Sequence, residues 1–257
     1  MNGAFRHPLR CAVRAAWLTG ELLFTAFDLA FTSALHPGPS SILPRAKGMQ
    51  RHSRRLLRVV AASVSICGRI PTDGLLVSNH LSYLDILVLG SISPTVFVSK
   101  SEVRRWPLLG WITHLAGTLF IQREKRSDVA RINEQAARVL DSGVLLVIFP
   151  EGTSSDGREV LPFKSSLLEP AVARRHALSV AHLSYEIEDG NPGRDVCYWG
   201  DMTFGGHLLK LLSKRRVAAS VTFAAVGESP ECRKELARQL HSEVSRLKSS
   251  RNPAPVP

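Results

Sequence analysis

The sequence predicts an α/β fold with one mostly parallel central sheet flanked by helices, preceded by a membrane-associated two-helix segment. Three observations point there. Apolar runs of strand length alternate with longer helical stretches along most of the chain. Glycine, proline and asparagine punctuate the joints between them. At 257 residues and 44% hydrophobic content, the chain can bury one large core. No internal repeat interrupts the pattern.

The first element is a helix over Ala12 to Phe31, rich in Trp, Leu, Phe and Ala, after a start that carries Arg6 and Arg10. It has no small-residue cleavage site and contains Glu21 and Asp28, so it does not read as a signal peptide. Arg14, Glu21 and Asp28 are seven apart and form one narrow polar stripe; Trp17, Phe24 and Phe31 form an aromatic row beside it. A charge at the bilayer centre costs about 2.5–3.5 kcal/mol on insertion scales, which disfavours an isolated span. A helix lying in one leaflet, packed on a second helix, fits better. An ordinary soluble hairpin is the alternative. The breaker His36-Pro37-Gly38-Pro39-Ser40-Ser41 separates the two helices. The second is placed at about Met49 to Ile66, basic at its start through Arg51, Arg54, Arg55 and Arg58, which would face anionic headgroups.

Six strands follow: Leu75–Ser78, Val96–Lys100, Leu119–Gln122, Val144–Phe149, Leu178–Tyr185 and Val217–Val226. Ser127 opens a helix to about Asp141, with Asp128 in its first turn and Gly143 just past its end. Ser229-Pro230-Glu231 reads as N-cap, N1 and N2 of a last helix to about Lys248. The apolar run Pro107 to Ile112 reads as core packing or as the wall of an acyl groove. The resulting division is a helical hairpin over 1–68, an α/β domain over 69–250 and a frayed tail over 251–257.

The formal net charge is +11, a field that attracts polyanions. No zinc-finger spacing, RNA-binding aromatic signature or clear helix-turn-helix accompanies it, so membrane surface and phosphate are favoured over nucleic acid. Cys11, Cys67, Cys197 and Cys232 are scattered without metal-ligand spacing and read as reduced thiols. Nucleotide-binding loops, the zinc-protease motif and the serine-hydrolase elbow are missing from the sequence.

The chemistry-bearing blocks sit at the ends of apolar runs. After Leu75 to Val77 come His80 and Asp85. Histidine can take and return a proton near neutrality, and a carboxylate on its far nitrogen fixes its tautomer. On one regular helix residues i and i+5 diverge by about 140°. The pair converges if His80 lies in the loop after a strand and Asp85 in the first turn of a helix capped by Ser82. A second block, Gly117 to Arg123, ends a strand in a guanidinium suited to phosphate. A third, Phe149-Pro150-Glu151-Gly152-Thr153, places a carboxylate, a flexible backbone and a hydroxyl at a strand's C-terminal end, where α/β sheets bind ligands. Taken singly each has a plainer reading: a dipole-favouring acid, a solvated strand-end charge, a tight turn.

Together and in this order the blocks resemble the glycerolipid acyltransferase family, over roughly residues 70 to 185. Asn79-His80-x-x-x-x-Asp85 is similar to its catalytic block, Gly117-x-x-Phe120-Ile121-x-Arg123 to its second and Phe149 to Thr153 to its third. Two positions depart from it. Val180-Ala181-His182 lacks the proline of a Val-Pro fourth block, and Phe163-Lys164 is followed by Ser165 and Ser166 rather than a glycine. The resemblance implies O-acyl transfer from an acyl thioester, carried by coenzyme A or acyl carrier protein, to the hydroxyl of a lysophospholipid. Lysophosphatidate is the first acceptor implied; another lysolipid such as lyso-ornithine lipid is the alternative. A non-catalytic basic membrane-surface or nucleic-acid-binding protein is the rival from another class. The implied roles are His80 as base and Asp85 as its orienting partner, with Arg123, Glu151, Gly152 and Thr153 holding the acceptor. No bound cofactor or metal is implied, and the expected location is the cytoplasmic face of a bacterial inner membrane. The segment Tyr198 to Phe204 is placed near the acyl or acceptor site by resemblance alone.

Overall fold

A computed structural model describes residues 7–105, 109–121, 126–168, 176–227, 230 and 232–251. Strands β1 (Ala62–Cys67), β2 (Leu75–Ser78), β3 (Thr95–Lys100), β4 (Leu119–Ile121), β5 (Leu145–Ile148), β6 (Leu178–Ile187) and β7 (Val217–Ala225) form one sheet. Its order is β1-β7-β6-β2-β5-β3-β4. Every neighbouring pair is parallel except β6 with β7, so β1 and β7 form a reversed pair at one side.

The central strands β2 and β5 are buried along their whole length, which accounts for their unbroken apolar sequence. Their side chains alternate between two cores. Leu76, Leu145 and Val147 face a cluster that includes Leu84 and Val88 of α3 (Leu84–Ile92) and Leu211 of α7 (Phe204–Ser213). Leu75, Val77, Leu146 and Ile148 face Ile132 and Val139 of α5 (Arg126–Asp141) and Leu240 and Val244 of α8 (Arg233–Arg251). The remaining short helices are α4 (Leu109–Leu115) and α6 (Pro192–Asp195). The last helix thus begins at Arg233; Ser229 and Glu231 of the expected cap lie outside the described residues.

Helix α1 spans Pro8–Leu35 and α2 spans Ile42–Val59. The second helix is therefore not Met49–Ile66. Ala61 adopts φ +50 and turns the chain, and residues 62–67 become β1, parallel to β7. The alternation Ser63, Val64, Ser65, Ile66 is the period-two signal of that strand. A boundary at 68 thus cuts the sheet's edge strand away from its sheet.

The charges of α1 point at the protein. Glu21 Oε2 accepts from Arg55 Nε at 2.7 Å, and Glu21 Oε1 accepts from Trp17 Nε1 at 3.2 Å. Asp28 Oδ2 lies 2.6 Å from Arg51 and 2.7 Å from His52. Arg14 donates to the carbonyls of Leu212 and Arg215, at the C-terminal end of α7. Arg54 donates to the Ser91 carbonyl at 2.8 Å. Much of the basic cluster expected to face headgroups is therefore committed to the chain itself. Gly48 lets the helices approach closely: a Cβ there would sit 3.0 Å from Leu29 Cδ2. What α1 leaves to solvent is apolar: Leu9, Val13, Trp17, Phe24, Phe27 and Phe31 are exposed, Phe27 at 70%. By length and hydropathy α1 is one helix that could cross a membrane.

Candidate active site

β2 and β5 are parallel neighbours, with Val77 opposite Ile148. The loops that follow them therefore open at the same edge of the sheet. This brings His80 next to the Phe149 to Thr153 turn, some seventy residues later in the chain. Asn79 fixes the first loop: its Nδ2 donates to the Leu183 carbonyl at 3.0 Å and its Oδ1 accepts the Leu183 N–H at 2.7 Å. The second loop is tied to the first by the Ser155 N–H, which donates to the His80 carbonyl at 3.0 Å.

His80 Nδ1 lies 2.7 Å from Asp85 Oδ2. Asp85 is fully buried in the first turn of α3. The same oxygen accepts the N–H groups of Leu81 at 2.6 Å and Ser82 at 3.0 Å, and Oδ1 accepts the Tyr185 hydroxyl at 2.6 Å. Four donors thus converge on one carboxylate. With Nδ1–H donating to Asp85, Nε2 is left as the ring's acceptor. The expected Ser82 cap is reversed. Ser82 Oγ makes no hydrogen bond, and the Asp85 carboxylate reaches back to the backbone instead. Tyr185 was not singled out in the sequence. Its signal was a tyrosine buried on a β-strand, where the hydroxyl must find a partner.

His80 opens on a cleft of about 280 Å³. Its ring stacks on Phe149 with centroids 4.3 Å apart and planes at 17°. Gly152, Thr153 and Ser154 line the mouth, and Ile86, Phe97 and Val98 lie among the apolar walls. Gly152 has φ +73, the left-handed turn that the third block requires. Among the described residues, the lining contains no cysteine, lysine, arginine, aspartate or glutamate.

Glu151 is not in that lining. It is 2% exposed and lies under the loops, where its Oε1 accepts the Leu161 N–H at 3.2 Å. Burial pushes its carboxyl up to about 8, against the opposing pull of the His80 and Leu161 backbone N–H groups. Glu151 thus sits beneath the His80 loop, outside the lining of the cleft. Arg123 lies outside the described residues, beyond the end of β4. In the run from Pro107 to Ile112, residues 107–108 also lie outside them; Ile112 packs into the core with Leu29 and Met49, and Trp111 is exposed. In the aromatic turn, Tyr198 lines the cleft and packs on Tyr83, whose hydroxyl lies 3.0 Å from His207 Nδ1. Cys197 is buried close to Asp85, and burial first of all pushes its thiol up to about 12, so it stays neutral and unreactive.

A buried carboxylate thus orients a histidine at an apolar cleft, an arrangement that can serve as a general base. The family model described as Acyltransferase matches residues 64–181. The chain is 35% identical over 241 residues to a protein of Pseudomonas aeruginosa named lyso-ornithine lipid O-acyltransferase, covering 92% of each chain. It is 34% identical to the 1-acyl-sn-glycerol-3-phosphate acyltransferase of Neisseria gonorrhoeae, over 63% of each chain. The crystal structure of the 1-acyl-sn-glycerophosphate acyltransferase of Thermotoga maritima shares the fold, with TM-score 0.56 and 22% identity over 93% of this chain and 98% of that one. The chain belongs to the acyltransferase family, and it is an acyltransferase.

Proposed function

We propose that this chain moves an acyl group from an acyl thioester of coenzyme A or acyl carrier protein onto the free hydroxyl of a lysolipid. The observation that carries this reading is the His80–Asp85 pair, with three further donors on the carboxylate, at an apolar-walled cleft. His80 Nε2 takes the proton of the acceptor hydroxyl as its oxygen attacks the thioester carbonyl. The new C–O bond forms, the C–S bond breaks, and the departing thiolate recovers the proton from His80. Asp85 holds the ring's tautomer and stabilises the imidazolium between these steps. Gly152 and Thr153 sit at the mouth, where the acceptor's polar end would lie.

Lyso-ornithine lipid is the first acceptor on this reading, supported by the relative matched over 92% of both chains. Relatives of Rhodobacter capsulatus and Brucella abortus carry the same name. Lysophosphatidate is the second reading, favoured by the Neisseria relative and by the sequence block Gly117 to Arg123. The exposed apolar face of α1 would rest in one leaflet, its charges turned toward α2 and α7; the cytoplasmic face of the bacterial inner membrane is the location proposed. The test is acyl transfer by the purified protein to a lysolipid panel with both thioester donors. Turnover with either lysolipid is expected, lost about 10² to 10⁴-fold in a folded His80→Ala variant. Wild-type turnover in that variant would overturn the assignment.

A further inference from the structure

Beside the His80 cleft, on the other face of β3, lies a second cavity of about 310 Å³. Val96 lines it, whereas Phe97 lines the first, as the pleat of a strand dictates. Among the described residues only Ala116 borders both. The other walls are the turn between α1 and α2, through Gly38 and Ser41, and the part of α5 that carries Gln135 and Arg138. His80 does not line this cavity, so it is separate from the candidate active site.

Arg45, in the first turn of α2, borders the cavity. Its stem runs beside Gly117, where an added Cβ would lie 4.0 Å from Arg45 Cδ, and its Nε donates to Ser33 Oγ at 2.9 Å. Its neighbours on α2 have acids: Arg51 pairs with Asp28 and Arg55 with Glu21. Arg45 pairs with no carboxylate among the described residues, and burial lowers its pKa. Further cations stand close. His114 of α4 is held below its ordinary value first by burial, then by the charges of Arg104 and Arg45. Arg138 also lines the cavity, and it pairs with Glu134 of its own helix. A half-buried charge without a counter-charge is unfavourable. It is more so in the first turn of a helix, where the dipole repels cations, and α2 has no acid there. A bound anion removes both penalties, and the planar fork of a guanidinium suits phosphate.

The surroundings indicate which phosphate. Leu35 and Leu43, on either side of the turn, are exposed, and Phe27 and Phe31 continue that apolar surface along α1. Trp111, three residues before His114 on α4, is exposed as well. A phosphate held at Arg45 thus has apolar surface nearby for fatty chains. We propose that the cavity at Arg45 binds the anionic phosphate headgroup of a bilayer phospholipid, separate from the lysolipid acceptor, and so holds the α1–α2 turn on the leaflet. The proposal does not depend on the acyl-transfer reading.

The experiment uses the full-length protein in a neutral detergent, where no bilayer charge attracts it. Phosphatidylglycerol, phosphatidylcholine and inorganic phosphate are titrated in separate arms, followed by native mass spectrometry and by thermal unfolding. The expected result is one phosphatidylglycerol retained per chain, bound about tenfold more tightly than phosphatidylcholine. It should raise the melting temperature, and inorganic phosphate at the same concentration should not. Arg45→Gln should weaken phosphatidylglycerol about tenfold, leave phosphatidylcholine unchanged and, without lipid, melt no lower than wild type. Arg58→Gln, which removes an exposed charge further along α2, should change the phosphatidylglycerol affinity by less than about twofold. Equal affinity for the two lipids overturns the proposal, as does wild-type binding of phosphatidylglycerol by Arg45→Gln. Equal stabilisation by inorganic phosphate would assign the cavity to free phosphate and overturn the lipid. A lower melting temperature of lipid-free Arg45→Gln also overturns the proposal, because the arginine would then serve the fold.

Discussion

Tyr185→Phe removes one oxygen and nothing else from the wall behind the catalytic pair. The lost group donates to Asp85 Oδ1 at 2.6 Å in a fully buried place, where water does not replace it. Leu81, Ser82 and His80 all converge on Oδ2, so Oδ1 would keep none of the hydrogen bonds described for it. A hydrogen bond to a charged group contributes about 1.5–3 kcal/mol, so the variant should lose stability of that order. Turnover should fall modestly, because His80 Nδ1 still has its partner. The assays are kcat and thermal unfolding followed by circular dichroism. An unchanged kcat with a lower melting temperature would show that Tyr185 only packs; no change in either would refute the role argued from the geometry.

Two further predictions concern Glu151 and the membrane face. Glu151 has its carboxyl raised to about 8 when folded and sits near its ordinary value when unfolded, so its contribution is full below about pH 4.5 and lost as pH rises through 8. Glu151→Gln, which mimics the neutral acid, should therefore gain on wild type by at most about 1.4 kcal/mol per pH unit across that window, levelling off above it. Urea midpoints between pH 5 and 9 test this; parallel curves would contradict a buried, protonated Glu151. Phe27→Glu with Phe31→Glu replaces two exposed aromatics on α1 without touching its ion pairs. Full burial of each ring is worth roughly 1.5–3 kcal/mol, so vesicle flotation should weaken more than tenfold while the protein stays folded. Flotation equal to wild type would place the membrane surface elsewhere.

The alternation of apolar runs with helical stretches is a local property, so six of the seven strands and the long α5 were legible in the sequence. The edge strand β1 was not. Its serines alternate with Val64 and Ile66 directly after a basic helix, and only pairing with β7, more than 150 residues later, makes those six residues a strand. The stripe of Arg14, Glu21 and Asp28 was equally plain in the sequence, but sequence spacing fixes the face of a helix, not what that face meets. Packing against α2 and α7 decided that the charges turn inward and the apolar face outward. At the site, the His80–Asp85 pairing could be argued from spacing, because strand, loop and first helical turn are contiguous. The remainder depended on sheet order. The parallel pairing of β2 with β5 brought Phe149 onto the His80 ring and Glu151 beneath its loop, and the pairing of β2 with β6 brought Tyr185 to Asp85. A sequence specifies which residues can do chemistry through their types and local spacing. Which of them touch is settled by strand neighbours far apart in the chain, and by the burial that those neighbours impose.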